Sequence, residues 1–370
     1  MAPDATSLLA RLVARPSIAG GDNLELIADV AAVLDEAGAD VRVHDGTRPG
    51  TKVLHAVLGP ADAPGGMLLA AHGDVVDVAG QTWTADPFVL RADGGRLHGR
   101  GAADMKGFIA ATLAALSRAD PSSLNAPLHV AISHDEELAC AGIAPLLDAL
   151  EIAAPLAGVV VGEPTELQVV DRHKGKAALD ITVHGRAAHS ATPSAGVNAV
   201  RAAAHLIVAL EDLERQLAAE ASDASFSTPH ATIGIGPIHG GIALNIVPDR
   251  CTLQVEARVL PGQPLDAIVE RIGAVAAGAD VHRAGGYPPL TPTASSFGAR
   301  IAKIAGHGDG GAVDFGTEAG LYQERLGVPV VVCGPGSMTQ GHTPDEFITA
   351  DQLAAGEAFI DRLLRQLAAA

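Results

Sequence analysis

The sequence predicts an α/β protein, a mostly parallel mixed sheet flanked by helices and interrupted by a smaller inserted α+β domain. Three observations carry this expectation. Short β-branched runs alternate with longer Ala/Leu-rich helical patterns, the order expected of βαβ units. From 175 to 283 the alternation breaks into strand, helix, strand, strand, helix, the order of a split βαβ or ferredoxin-like unit. A length of 370 residues, at roughly 150 per domain, suits two domains that each bury a core.

Residues 23–37 (NLELIADVAAVLDEA) read as an amphipathic helix closed by Gly38. Strands are expected at 51–58, 66–71, 127–133, 157–161 and 328–333, and helices at 105–118, 137–150 and 351–368. Within the insert, strands at 177–184, 231–236 and 249–259 alternate with helices at 196–219 and 264–277. The polar stretch 221–230 and the Gly-rich stretch 284–289 read as connections, the second as a hinge. The expected division is 1–174 with 284–370 for one domain and 175–283 for the insert.

Composition narrows the function. Forty-three acidic residues against 25 basic ones give a net charge of −18, a poor match for nucleic-acid backbones or anionic lipid. Aromatics are only 3%, too few for base-stacking platforms. No apolar run approaches the roughly 18 residues of a membrane span. The start, Met-Ala-Pro-Asp, lacks the basic and apolar regions of a signal peptide, so a cytoplasmic location is expected. Cys140, Cys251 and Cys333 are too few and too scattered for a disulfide framework.

The chemistry concentrates at strand ends. An apolar run closes in His72-Gly73-Asp74, and period-2 geometry puts both side chains on one side of the chain. Asp74 can then fix the His72 tautomer and leave the other nitrogen for a metal. Asp104 follows Gly99-Arg100-Gly101 at a helix start, where it serves as an N-cap or faces a ligand. His134-Asp135-Glu136-Glu137 follows another apolar strand. These acids either complement a helix dipole or divide the labour, one binding metal and one taking a proton. Glu163 follows the strand GVVVG, and His342 follows VVVCGPG by a few residues. In a parallel sheet these points converge on one edge. His72, Asp104, Glu137, Glu163 and His342, with no sulfur among them, suit Zn²⁺, Co²⁺ or Mn²⁺, and suffice for two ions sharing one carboxylate.

Several segments together resemble the M20 family of di-zinc amidohydrolases over nearly the whole chain. They are WTADPFVL (83–90), GRGAADMKG (99–107), GEPTELQVV (162–170), HKG (173–175), GVNAV (196–200), FGTEAG (315–320) and GPGSMTQGHTPDEF (334–347). The resemblance implies two divalent ions, with Asp104 bridging, His72 and Glu163 on one, and Glu137 and His342 on the other. It implies Glu136 as general base and then acid, Asp74 orienting His72, and His189 stabilising the oxyanion. Asn245, Arg258 and Thr317 would hold substrate, Arg258 by its α-carboxylate, and 175–283 would be a lid and homodimerisation domain. The implied reaction is hydrolysis of N-acetyl-L-ornithine to L-ornithine and acetate, a step of arginine biosynthesis. Succinyl-diaminopimelate, acetylcitrulline and dipeptides are the rival substrates, and a non-catalytic amino-acid-binding relative is the rival of another class.

Overall fold

The computed structural model describes residues 3–369. The chain forms two compact units. The first comprises the chain up to Asp171, Pro292–Gly311 and the chain from Thr317 onward; the second comprises Arg172–Thr291 and Ala312–Gly316.

The chain opens with α1 (Ala5–Val13), α2 (Leu24–Glu36), β1 (Asp40–Asp45), β2 (Lys52–Leu58) and β3 (Gly66–His72). A short hairpin, β4 (Arg91–Asp93) and β5 (Arg96–His98), precedes α3 (Lys106–Leu116), β6 (Leu128–Ser133), α4 (Ala144–Ala149) and β7 (Leu156–Pro164). Then come β8 (Val169–His173), β9 (Gly175–His184), α5 (Ala199–Glu220), β10 (Thr232–Gly240), β11 (Arg250–Val259), α6 (Leu265–Val275) and β12 (Asp280–Tyr287). The remainder is α7 (Phe297–Ala305), β13 (Asp309–Val313), α8 (Ala319–Leu326), β14 (Val330–Gly334), β15 (Phe347–Thr349) and α9 (Ala350–Ala368).

The main sheet has the order β1-β2-β6-β3-β7-β14-β8-β13. Its central strands β6, β3, β7 and β14 run parallel, so their carboxyl ends share one edge. The pairs β1–β2, β2–β6 and β14–β8 are antiparallel. β3, β6 and β14 are buried at every residue, as continuous apolar strands are when helices cover both faces. All eleven residues of α3, KGFIAATLAAL, are buried, and the helix packs between α1 and α9. Gly162 permits the close approach of α3, because a Cβ there would lie 2.1 Å from the Phe108 ring.

The second unit is an antiparallel sheet of order β10-β11-β9-β12 whose inward side chains share one core with α5 and α6. Asn198 caps α5, accepting from the Arg201 amide at 3.0 Å. Here the structure departs from an expectation. The stretch 284–289 is not a free connection, because Asp280–Tyr287 pairs with β9 as a fourth strand. A register shift between Arg283 and Gly285 absorbs the glycines that made it read as a loop.

The expected helix 137–150 is also different. Glu136–Leu138 is a single 3₁₀ turn, Ala139 and Cys140 take φ of 60° and 59°, and the helix is confined to Ala144–Ala149. Tertiary hydrogen bonds to this turn override its helical propensity. Among the described residues no helix is long and apolar enough to cross a membrane. All three cysteines are free and buried.

Candidate metal centre

The site is assembled at the carboxyl edge of the parallel strands. His72 ends β3, opposite Ser133 at the end of β6. Its Nδ1 lies 3.0 Å from the Asp74 carbonyl oxygen and 3.4 Å from the Asp74 carboxylate. Nδ1 therefore donates toward Asp74, and Nε2 faces Asp104 Oδ1 at 3.1 Å and Glu163 Oε1 at 3.7 Å, the nitrogen whose lone pair a metal would take in place of a proton. The sequence reading had Asp74 orient His72 by its side chain. In the structure the nearer acceptor is the Asp74 backbone. Its carboxylate chiefly accepts the amides of Glu136 and Glu137, at 3.2 and 3.1 Å.

Asp104 stands between two histidines. Its Oδ1 faces His72, and its Oδ2 lies 3.2 Å from His342 Nε2. The loop that presents it is held by Glu346, whose buried carboxylate accepts from the backbone N–H of Gly101, Ala103 and Asp104 at 2.9–3.0 Å. Arg100 Nη1 closes on the same carboxylate at 2.7 Å. Glu346 was not singled out from the sequence; its signal is an acid two residues beyond His-Thr-Pro, directly before Phe347-Ile348-Thr349. Gly101 has φ of 81°, and a Cβ there would meet Val75 at 2.6 Å, so this turn requires glycine.

Glu137 completes the second group, with Oε2 at 3.0 Å from His342 Nε2. His72, Asp104 and Glu163 form one triad of donor atoms within 4.8 Å, and Asp104, Glu137 and His342 the other. Glu136 belongs to neither. Its Oε1 accepts a long hydrogen bond from Cys140 Sγ at 3.4 Å.

Electrostatics fit the donor set to divalent cations. Burial lifts Glu163 well above the usual carboxylate range, and repulsion from Asp104 adds to it. Burial raises Glu136 well above its ordinary value, with His72 opposing and Glu137 adding. For His72, burial alone would lower the pKa, but hydrogen bonds to Asp104 and Asp74 carry it well up. Hydrogen bonds to Asp104 and Glu137 push His342 up to about 10. A carboxylate–imidazole cluster that retains protons this strongly has lone pairs for which cations compete. Three carboxylates and two imidazoles suit Zn²⁺, Co²⁺ or Mn²⁺.

Thr317 is fully buried, and its Oγ1 accepts from the Ala319 amide at 3.0 Å. The adjacent Glu318, which sequence reasoning missed, is buried and pushed up to about 7 by burial.

The other expected residues lie in the second unit. His189 is exposed, and its Nδ1 accepts from the Ala191 amide at 3.0 Å, so Nε2 carries the proton. Asn245 is exposed in the turn between β10 and β11, its carbonyl accepting from the Ser190 amide at 3.0 Å. Arg258 is half-buried; its Nε donates to Glu256 at 2.7 Å and its Nη1 to the Tyr287 hydroxyl at 3.1 Å.

The sequence pattern of Peptidase family M20/M25/M40 matches residues 68–366, so the chain belongs to this family. It is 31% identical, over 98% of its length and 97% of the relative's, to an acetylornithine deacetylase of Edwardsiella ictaluri (strain 93-146). Its fold is similar to that of an M20 family metallo-carboxypeptidase from Sulfolobus solfataricus, with a TM-score of 0.80, 18% identity and full coverage of both chains. It is also similar to a dinuclear metal-binding M20 peptidase from Bacillus subtilis, with a TM-score of 0.69, 16% identity and 98% and 97% coverage.

Proposed function

We propose that this hydrolase removes the acetyl group from N-acetyl-L-ornithine, using two divalent ions, most simply zinc, with cobalt or manganese as substitutes. The supporting observation is one carboxylate, Asp104, set between His72 and His342, with Glu136 beside the cluster. His72, Asp104 and Glu163 would hold one ion, and Asp104, Glu137 and His342 the other. When bound, such ions supply Lewis acidity and lower the pKa of the attacking water from 15.7 toward about 7.

The remaining work falls to the chain. Glu136 takes the water's proton as the acyl carbonyl is attacked, then returns it to the departing amine. The burial that raises its proton affinity suits both halves of that task. Asp74 holds the backbone of Glu136 and Glu137 and keeps the His72 proton on Nδ1. His189, with its tautomer set by the Ala191 amide, offers Nε2–H to the developing oxyanion. Arg258 would hold the α-carboxylate, with Asn245 and Thr317 contacting substrate.

Acetylornithine is favoured by the 31% identity to an acetylornithine deacetylase across nearly both chains. The reading includes a cytoplasmic homodimer formed through the second unit. Exposed Val197, Val200, Val208, Ile238, Ile242 and Leu244 there support that surface.

Ornithine release from N-acetyl-L-ornithine by metal-stripped and zinc- or cobalt-reloaded protein tests the reading. N-succinyl-diaminopimelate, N-acetylcitrulline and a dipeptide serve as competitors. Metal-dependent preference for acetylornithine is expected; preference for a competitor replaces the substrate, and inertness toward all four with two ions bound removes the activity.

A further inference from the structure

The residues before Glu136 and Glu137 are gripped by two N-terminal loops. Asp135 is buried and left-handed, with φ 53° and ψ 33°. Asp tolerates this region better than most residues, yet the turn still has to be held. Asp135 Oδ1 accepts from the Gly20 amide at 2.8 Å. Its Oδ2 accepts from Arg48 Nη2 at 2.7 Å and Nε at 3.1 Å. The same guanidinium reaches back to the carbonyls of Gly20 at 2.8 Å and Gly21 at 3.1 Å. Arg48 thereby ties the loop 18–21 and the loop 46–51 to the acidic turn with four side-chain donor contacts.

The neighbouring residue is socketed as well. His134 Nε2 accepts from the Thr47 amide at 3.2 Å, and a Cβ on Gly46 would come within 2.4 Å of that nitrogen. The loop 18–21 is itself fastened beside Asp74, the Ala19 amide donating to the Val75 carbonyl at 2.9 Å. The turn is therefore clamped on one side by Arg48 and on the other by Asp74, which holds the next two amides.

We propose that Arg48 is a positioning residue for Glu136, acting through Asp135 to hold the left-handed turn that presents the base beside the metal ligands. Arg48 and Gly20 lie before residue 68, where the family match begins. The inference rests on Glu136 being the base, but the clamp itself can be judged without turnover.

The first arm is hydrogen exchange on metal-free protein. Arg48→Met should speed exchange of the segment 134–140 at least tenfold and leave β3 (66–72) unchanged. The second arm is kinetics at saturating metal. Arg48→Met and Asp135→Asn should each lower kcat about 10–100-fold, with KM within about threefold, on the scale of lost supporting contacts around a metal site. The double variant should be no worse than either single one, and Arg48→Lys should recover part of the loss. Wild-type exchange in 134–140 for Arg48→Met overturns the clamp. Altered exchange with unaltered kcat overturns the positioning role. Wild-type protein inert toward every N-acyl amino acid overturns the proposed activity, and with it the positioning role, while the exchange arm still decides whether the clamp exists.

Discussion

The sheets of the two units bury their residues differently. β3, β6 and β14 in the first unit are buried at every position. β9 in the second alternates without a break, buried and half-buried, until its final exposed His184. A parallel sheet covered on both faces leaves room for a polar cluster chiefly beyond its strand ends, and that is where His72, Glu137, Glu163 and His342 are gathered. An antiparallel sheet with one covered face keeps its polar groups along the strands and in its loops. His189, Asn245 and Arg258 are placed accordingly, on exposed or half-buried positions with local partners. In the first unit a tightly packed core positions the carboxylate–imidazole cluster; in the second, polar side chains lie on loops and strand faces.

This contrast can be broken by substitution. Glu136→Gln should lower turnover about 10²–10⁴-fold while both ions stay bound, measured by initial rates and metal analysis. Near-normal rates would remove Glu136 as the base. His189→Ala should cost about 10²–10³ in kcat, the scale of one oxyanion donor, with metal content and the melting curve of the first unit unmoved. If metal is lost instead, the division of roles between the units fails.

Stability offers a second contrast. Leu68→Ala, in a strand buried on both faces, should cost about 2–5 kcal/mol in urea denaturation. Thr182→Ala, on the open face of β9, should stay within about 0.5 kcal/mol. Equal losses at the two positions would contradict the burial pattern.

A pH effect belongs to the first unit. His55 Nε2 and His129 Nδ1 are 3.0 Å apart on adjacent strands, the rings stacked. Burial lowers each to about 4, helped at His55 by Arg42 and at His129 by His55. The unfolded chain therefore binds more protons between about pH 6.5 and 4. The contribution of the pair is complete above that window and is lost as the pH falls through it. His129→Gln should flatten the dependence of the urea midpoint on pH between 7 and 4.5. An unchanged slope would show that the pair does not contribute.

Much of the architecture was legible in advance because it depends on local pattern. The apolar runs at 66–71, 127–133 and 328–333 correspond to β3, β6 and β14, since a two-faced burial writes an unbroken apolar signature. Elements such as α1, β1 and the β4–β5 hairpin were not foreseen, being short or at a sheet edge, where composition carries little signal. The stretch 284–289 misled because glycine marks both loops and bulges, and only pairing with β9 distinguishes them.

What the sequence determined by itself was the alternation of buried strands with helices, the insert, and the identity of the acids and histidines at strand ends. These follow from side-chain chemistry and short-range periodicity. Only the tertiary structure decided that Asp104 stands between two imidazoles, that Glu346 fastens the loop carrying it, and that the segment after β6 is a clamped left-handed turn rather than a helix. Those features arise between residues as many as 246 positions apart, such as Arg100 and Glu346, and no local propensity encodes a contact made across that distance.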